Sequence, residues 1–318
     1  MKLITSLLLL STVIATAADG LYVAVGYGGR RMASKDGINW ENVQQWAEEG
    51  KDDSNNLMSL TYGLGKFVCV GGGGWSKETQ AGHILVSTDG KEWREVAKYP
   101  FRVNPVLFQE KLFVAGGPSK QLLWSADGEK WNEGETVKLP EGIPSYAFWF
   151  RGGAAGNGLF VFVGNADKDQ KTLWCLTTRD GKTVESFTTG IPSIKGLAFG
   201  GGKFVLAGSD GLYTSVDGKS WERASGSPAE EMTGVVATGK GLLATSKTGL
   251  YASSDAVNWK AIGKAPPCNL ACATDKGMIG TGWPGKMFFT KDGQKWESAG
   301  QPTPGLGINK VVYGAPQP

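Results

Sequence analysis

One pattern recurs seven times along the chain: Ser or Thr, any residue, Asp, usually Gly, two residues, usually Trp. It reads SKDGINW at 34–40, STDGKEW at 87–93, SADGEKW at 125–131 and TRDGKTV at 178–184. It continues as SVDGKSW at 215–221, SSDAVNW at 253–259 and TKDGQKW at 290–296. Its aspartates, Asp36, Asp89, Asp127, Asp180, Asp217, Asp255 and Asp292, are separated by 53, 38, 53, 37, 38 and 37 residues. The basic unit is therefore about 38 residues, and two units carry insertions of about 15.

Each unit has the same internal order. A small-residue strand such as GLAFG (196–200) is followed by a glycine-led apolar strand such as GKFVLAG (202–208). A second apolar strand, such as LYTS (212–215), enters the aspartate turn, and a short polar strand follows it. These are strands A, B, C and D. Strand B is a continuous apolar run, as a strand buried on both faces requires. Short strands punctuated by turn signals mark an all-β fold. Four strands per repeat of about 40 residues select a β-propeller, here with seven blades. The first unit begins at strand B, LYVAVG (21–26), and lacks strand A. The last strand, INKVVYG (308–314), has the character of a strand A with no unit after it. It is expected to complete the first blade and close the ring.

The aspartate joins strands C and D. Its carboxylate can accept turn amides, the Ser/Thr hydroxyl adds another bond, and Gly supplies the positive φ. Burying the Trp, about 200 Å² at roughly 25 cal/mol per Å², contributes at most about 5 kcal/mol. These aspartates read as architectural. Val184 replaces Trp in the fourth turn and Ala256 replaces Gly in the sixth, so those two are expected to be less regular.

The repeat resembles the Asp-box, or BNR, repeat of sialidase-like propellers, and the resemblance extends from about residue 20 to the end. Similar repeats occur in sialidases, xyloglucanases, sortilin-type receptors and photosystem assembly factors, so the resemblance implies a scaffold and not an activity. Sialidases hold the substrate carboxylate with three arginines. This chain has seven arginines in all, one of them, Arg179, inside an aspartate turn, and no Arg-Ile-Pro opening.

Antiparallel connectivity puts the A–B and C–D turns on one face of the ring. The B–C loops and D–A crossovers lie on the other. Both long units enlarge the B–C loop, at about 72–82 and 165–171, and the crossover at 43–56 is long. The fourth unit divides its remaining excess between 132–145 and a long A–B turn near 151–158. Most insertions therefore decorate the face opposite the aspartate turns, where function is expected. Trp46, Trp75 and Trp283 fall in those loops, Trp149 in strand A of the fourth unit, and Arg30, Arg31 and Arg102 nearby. These seven residues are the candidate ligand-binding set, since aromatic planes suit sugar rings or apolar peptide side chains. Glu48, Glu49, Asp52 and Asp53 read as a solvated acidic loop.

Lys2, the apolar run Leu3–Val13 and Ala15-Thr16-Ala17 read as a signal peptide cleaved after Ala17, leaving one propeller domain over 18–318. The expectation is a secreted or periplasmic protein without stable membrane insertion. A formal charge of +3 leaves no electrostatic footprint for nucleic acid. One histidine, His83, and no CxxC argue against a metal site or a bound cofactor. Cys69, Cys175, Cys268 and Cys272 are expected to be buried thiols, and the chain a monomer. The reading is a non-catalytic module that recognises a glycan or protein. A sialidase-like or other glycoside hydrolase, needing only two suitably spaced carboxylates, is the alternative. An envelope assembly or scaffold factor is the third.

Overall fold

The computed structural model describes residues 20–46, 55–73, 81–117, 121–143, 150–165, 173–191, 193–300 and 307–315. The expected leader, Trp75, Trp149 and the acidic stretch Glu48–Asp53 lie outside them, as do most of the two enlarged B–C loops. The chain forms seven four-stranded antiparallel sheets. Blade 1 is β1 (Leu21–Gly26), β2 (Arg31–Ser34) and β3 (Glu41–Gln44), completed on its inner edge by β28 (Ile308–Gly314). Blade 2 is β4 (Leu57–Gly63), β5 (Lys66–Gly73), β6 (Ala81–Ser87) and β7 (Arg94–Tyr99). Blade 3 is β8 (Val106–Gln109), β9 (Leu112–Gly116), β10 (Gln121–Ser125) and β11 (Asn132–Thr136). Blade 4 is β12 (Phe150–Gly156), β13 (Leu159–Asn165), β14 (Leu173–Thr178) and β15 (Glu185–Thr188). Blade 5 is β16 (Gly196–Gly200), β17 (Lys203–Ala207), β18 (Leu212–Ser215) and β19 (Glu222–Arg223). Blade 6 is β20 (Met232–Thr238), β21 (Gly241–Ser246), β22 (Gly249–Ser253) and β23 (Lys260–Lys264). Blade 7 is β24 (Asn269–Thr274), β25 (Gly277–Gly282), β26 (Lys286–Thr290) and β27 (Glu297–Ser298).

The inner strands β28, β4, β8, β12, β16, β20 and β24 each pack beside the next, and β24 returns to β28. The ring is therefore a seven-bladed β-propeller, closed by the C-terminal strand. β28 pairs along all of β1, from Leu21 with Gly314 to Gly26 with Ile308. The core lies between blades. Val23, Val25 and Ala33 of blade 1, for example, pack with Leu60, Phe67 and Cys69 of blade 2.

The aspartate turns do more than close hairpins. In blade 1, Asp36 Oδ1 accepts the Ile38 and Asn39 amides at 2.8 Å, and the Ser34 hydroxyl at 3.0 Å. The Gly37 amide donates to Ser34 Oγ at 2.9 Å, and Trp40 Nε1 to the Gly37 carbonyl at 3.2 Å. Each turn also grips the blade before it. Gly300 of blade 7 donates to Ile38 O, and Gln44 of blade 1 to Lys91 O. Lys66 and Arg94 of blade 2 hold Glu129, and Glu135 of blade 3 donates to Lys182 O. Lys219 pairs with Glu185 of blade 4, Gly226 of blade 5 donates to Val257 O, and Gln294 donates to Ile262 O of blade 6. Seven turns thus make seven latches around the ring.

Two expectations need correction. The sixth turn is largely regular, lacking only the amide-to-hydroxyl bond that the turn glycine donates in the other six. Ala256 takes the positive φ of 65°, Asp255 accepts Val257 and Asn258 at 2.9 and 2.8 Å, and Trp259 Nε1 reaches Ala256 O at 3.2 Å. The fourth turn is regular as well: Asp180 accepts Lys182 and Thr183, and Val184 packs into the core between blades 3 and 4. The carboxylate sets the turn, so the outer residues can vary. The other correction concerns residues 151–158. They are not a long turn. Residues 150–156 are strand β12, followed by the tight turn Asn157–Gly158. The small residues that looked like a turn are required by crowding. A Cβ on Gly153 would lie 2.9 Å from Leu107 Cδ1, and one on Gly156 would lie 2.1 Å from Phe199 Cδ1. The fourth unit's excess before strand B therefore does not lie in its A–B turn.

All four cysteines are free thiols. Cys69 and Cys175 are buried, whereas Cys268 and Cys272 are only half-buried because they sit in a crossover and on the inner strand β24. No helix among the described residues is long and apolar enough to cross a membrane.

Candidate functional site

The decorated face is not uniform. Among the described residues, three large aromatic side chains are exposed there: Trp283 at 71 %, Trp46 at 40 % and Phe101 at 38 %. Trp283 is in the B–C loop of blade 7. Trp46 is in the crossover from blade 1 to blade 2, and Phe101 in the crossover from blade 2 to blade 3. They form an arc over consecutive blades. Tyr27, in the B–C loop of blade 1, bridges the gap and meets Trp283 edge-on with ring centroids 5.5 Å apart.

Trp46 is held from both blades. Its amide donates to Gly28 O at 2.9 Å. Its ring lies against Gly29, whose added Cβ would come within 2.4 Å of Trp46 Cε3. The Arg31 guanidinium sits 4.9 Å from the ring centroid, and the His83 ring of blade 2 is 4.8 Å away. This is a cation–π contact on one ring and an aromatic contact on the same ring, which fix its orientation while leaving part of it open. His83 Nδ1 is 2.5 Å from Glu95 Oε1, and Glu95 also pairs with Lys98 at 3.2 Å.

The candidate residues are thus used differently. Arg30 is fully buried and Arg31 is 6 % exposed, so both present little surface, and Arg31 backs the Trp46 ring. Burial lowers the Arg31 pKa from its usual value, and the nearby Cys69 thiol opposes that shift. Arg102 is half-buried and donates from Nε to Gly72 O at 2.8 Å. Trp46 and Trp283 come together in the arc. Trp75 and Trp149 lie outside the described residues. Phe101 and Tyr27 escaped sequence reasoning, because a single aromatic in a short polar loop carries no periodic signal. Their place on the decorated face was nevertheless readable from the strand order.

Elsewhere on this face, a polar cleft of about 340 Å³ lies between blades 6 and 7, lined by Thr233, Ser246, Lys247, Asn269 and Thr281 among others. Burial pushes the thiol of Cys268, also in its wall, up to about 12. No group of three His, Cys, Asp or Glu among the described residues is placed to hold a metal.

No protein-family model and no curated protein sequence matches the chain. Solved structures do share its fold. Apo AztD from Citrobacter koseri superposes with a TM-score of 0.55 at 10 % identity, over 94 % of this chain and 99 % of that one. YCF48 from Cyanidioschyzon merolae gives 0.54 at 16 % identity, over 81 % and 94 %. A YCF48 structure bound to D1 peptide gives 0.50 at 20 % identity, over 76 % and 81 %. At these identities the likeness is one of fold.

Proposed function

We propose that this chain is an exported, non-catalytic binding propeller of the Asp-box kind. Its ligand is a segment of a partner protein laid across the aromatic arc of blades 7, 1 and 2. The observation that carries the reading is the exposure of Trp283. A tryptophan left mostly open beside Tyr27, on the same face as Trp46 and Phe101, offers a hydrophobic anchor. Arg31 and His83 hold Trp46 from beneath, so part of the arc is ordered before a ligand arrives, which lowers the entropic cost of binding. A protein ligand also accords with the fold neighbour that is bound to D1 peptide.

The test is a paired peptide and glycan array probed with the leaderless protein, followed by Trp283→Ala and Phe101→Ala together. The expected result is retention on peptides, lost in the double variant while its circular dichroism and thermal midpoint stay unchanged. Retention on glycans alone would replace the protein ligand with a sugar. Retention that survives the double substitution would refute the arc as the site.

A further inference from the structure

The seven inner strands line the channel around which the blades are set. They carry just two charged residues, Arg151 on β12 and Lys310 on β28, and both are cations. Both are exposed. An inner strand has strand B along one edge and neighbouring inner strands on its flanks. An exposed side chain on it faces the channel or, near a strand end, the solvent at the channel mouth.

Backbone irregularity sits at or beside both groups. In blade 4 the pairing jumps from Phe150 to Gly152, so Arg151 is an extra, bulged residue. The same jump skips Asn309 in blade 1, Met58 in blade 2, Thr233 in blade 6 and Ala271 in blade 7. Bulges at the rim of a closed structure re-aim side chains. These five fall near the start of their strands, next to the crossovers, and therefore ring the channel at its decorated end. Lys310 follows the bulged Asn309, one residue deeper. Blade 4 stands across the ring from blade 1, so Arg151 and Lys310 enter from opposite sides.

Neither cation is in an ion pair among the described residues. The protein around Lys310 strips water from its amine and lowers its pKa from the usual lysine value, and the Cys272 thiol on the adjoining inner strand opposes that shift. An amine that is both reachable and poorly hydrated lies in a narrow passage, where an opposite charge would stabilise it.

We propose that the decorated mouth of the channel is an oxyanion site, at which Arg151 and Lys310 hold a carboxylate or phosphate group from opposite sides. One guanidinium supplies a planar fork and one ammonium a point charge, an arrangement unlike a clamp of three arginines. The site is separate from the aromatic arc and does not depend on it.

The test is calorimetric titration of the leaderless protein at low salt with glucuronate, glucose and inorganic phosphate. Glucuronate and glucose differ in the carboxylate, and phosphate tests the other source of the same chemistry. At least one oxyanion is expected to bind with a dissociation constant on the order of millimolar, and glucose not to bind. Arg151→Gln and Lys310→Gln should each weaken it by about tenfold or more, and Lys310→Arg should retain it. Trp283→Ala should leave it unchanged, which separates this site from the arc. In the reductively methylated protein, the bound anion should raise the titration midpoint of Lys310 seen by NMR. Absence of oxyanion binding, or binding that persists in the folded Arg151→Gln/Lys310→Gln protein, would overturn the proposal.

Discussion

The two faces of this ring are built from the same seven repeats and are organised by opposite rules. On the aspartate face every blade does the same thing. A carboxylate collects two turn amides and a hydroxyl, and the turn latches onto the preceding blade. The exposed large apolar residues there, Leu64 and Val216, are isolated, on blades 2 and 5. On the decorated face the blades differ. Aromatic side chains gather over blades 7, 1 and 2, a polar cleft lies between blades 6 and 7, and the two inner-strand cations stand on blades 4 and 1. Repetition serves closure of the ring, and departure from repetition marks surface available to a ligand.

Substitutions should separate the two faces by size of effect. The largest loss of stability is expected from Gly181→Val. The backbone there has φ of 69°, and a Cβ would lie 2.6 Å from Trp124 Cβ on the preceding blade. Strain and overpacking together should cost about 2–5 kcal/mol in denaturant unfolding. An equal loss from a glycine in a decorated loop that meets no neighbour, such as Gly190, would break the comparison.

Acid should act on the aspartate face as a whole. Burial raises the Asp36 carboxyl, but bonds from Asn39, Ile38 and Ser34 outweigh it and bring the group to about 2. Hydrogen bonds, principally from Asn258, hold Asp255 below the carboxylate range, and the other five turn aspartates are also lowered. A depressed folded pKa gives stability that is present above the unfolded value near 4 and lost as pH falls through the folded value. The thermal midpoint should therefore be flat above about pH 5 and fall steeply between about pH 4 and pH 2. Replacing Asp36 by Asn should make that fall shallower.

Single turns should cost less. Asp36→Ala leaves the Ile38 and Asn39 amides without their acceptor in an exposed turn, and about 1 kcal/mol is expected from urea unfolding. The smallest effect on stability belongs to Trp283→Ala, within about 0.5 kcal/mol, because that side chain is mostly in solvent. Trp46→Ala should fall between these two, since it loses contacts to Gly29, Arg31 and His83.

Much of the ring was legible in the sequence, and the reason is physical. Strands LYVAVG and INKVVYG occupy β1 and β28 residue for residue, because a buried strand and a small-residue inner strand carry different compositions. The spacing of the aspartates counted the blades. What stayed hidden depends on neighbours distant in the chain. Gly153 and Gly156 looked like a turn until Leu107 and Phe199 of adjoining blades were seen against them. Arg30 and Arg31 read as candidate ligand-binding residues, because nothing local reveals that both are buried and that a crossover tryptophan covers Arg31. The bulges at Arg151 and Asn309 are single-residue slips in pairing, with no mark in composition.

The most direct test sets one face against the other on the same ligand, namely whichever array peptide or glycan the protein retains. Asp36→Ala and Trp283→Ala are compared for unfolding midpoint and dissociation constant in parallel. The account predicts that Asp36→Ala lowers the midpoint and leaves binding unchanged, while Trp283→Ala leaves the midpoint unchanged and weakens binding at least about tenfold. A folded Asp36→Ala protein that no longer binds, or a Trp283→Ala protein that binds as well as the parent, would contradict it.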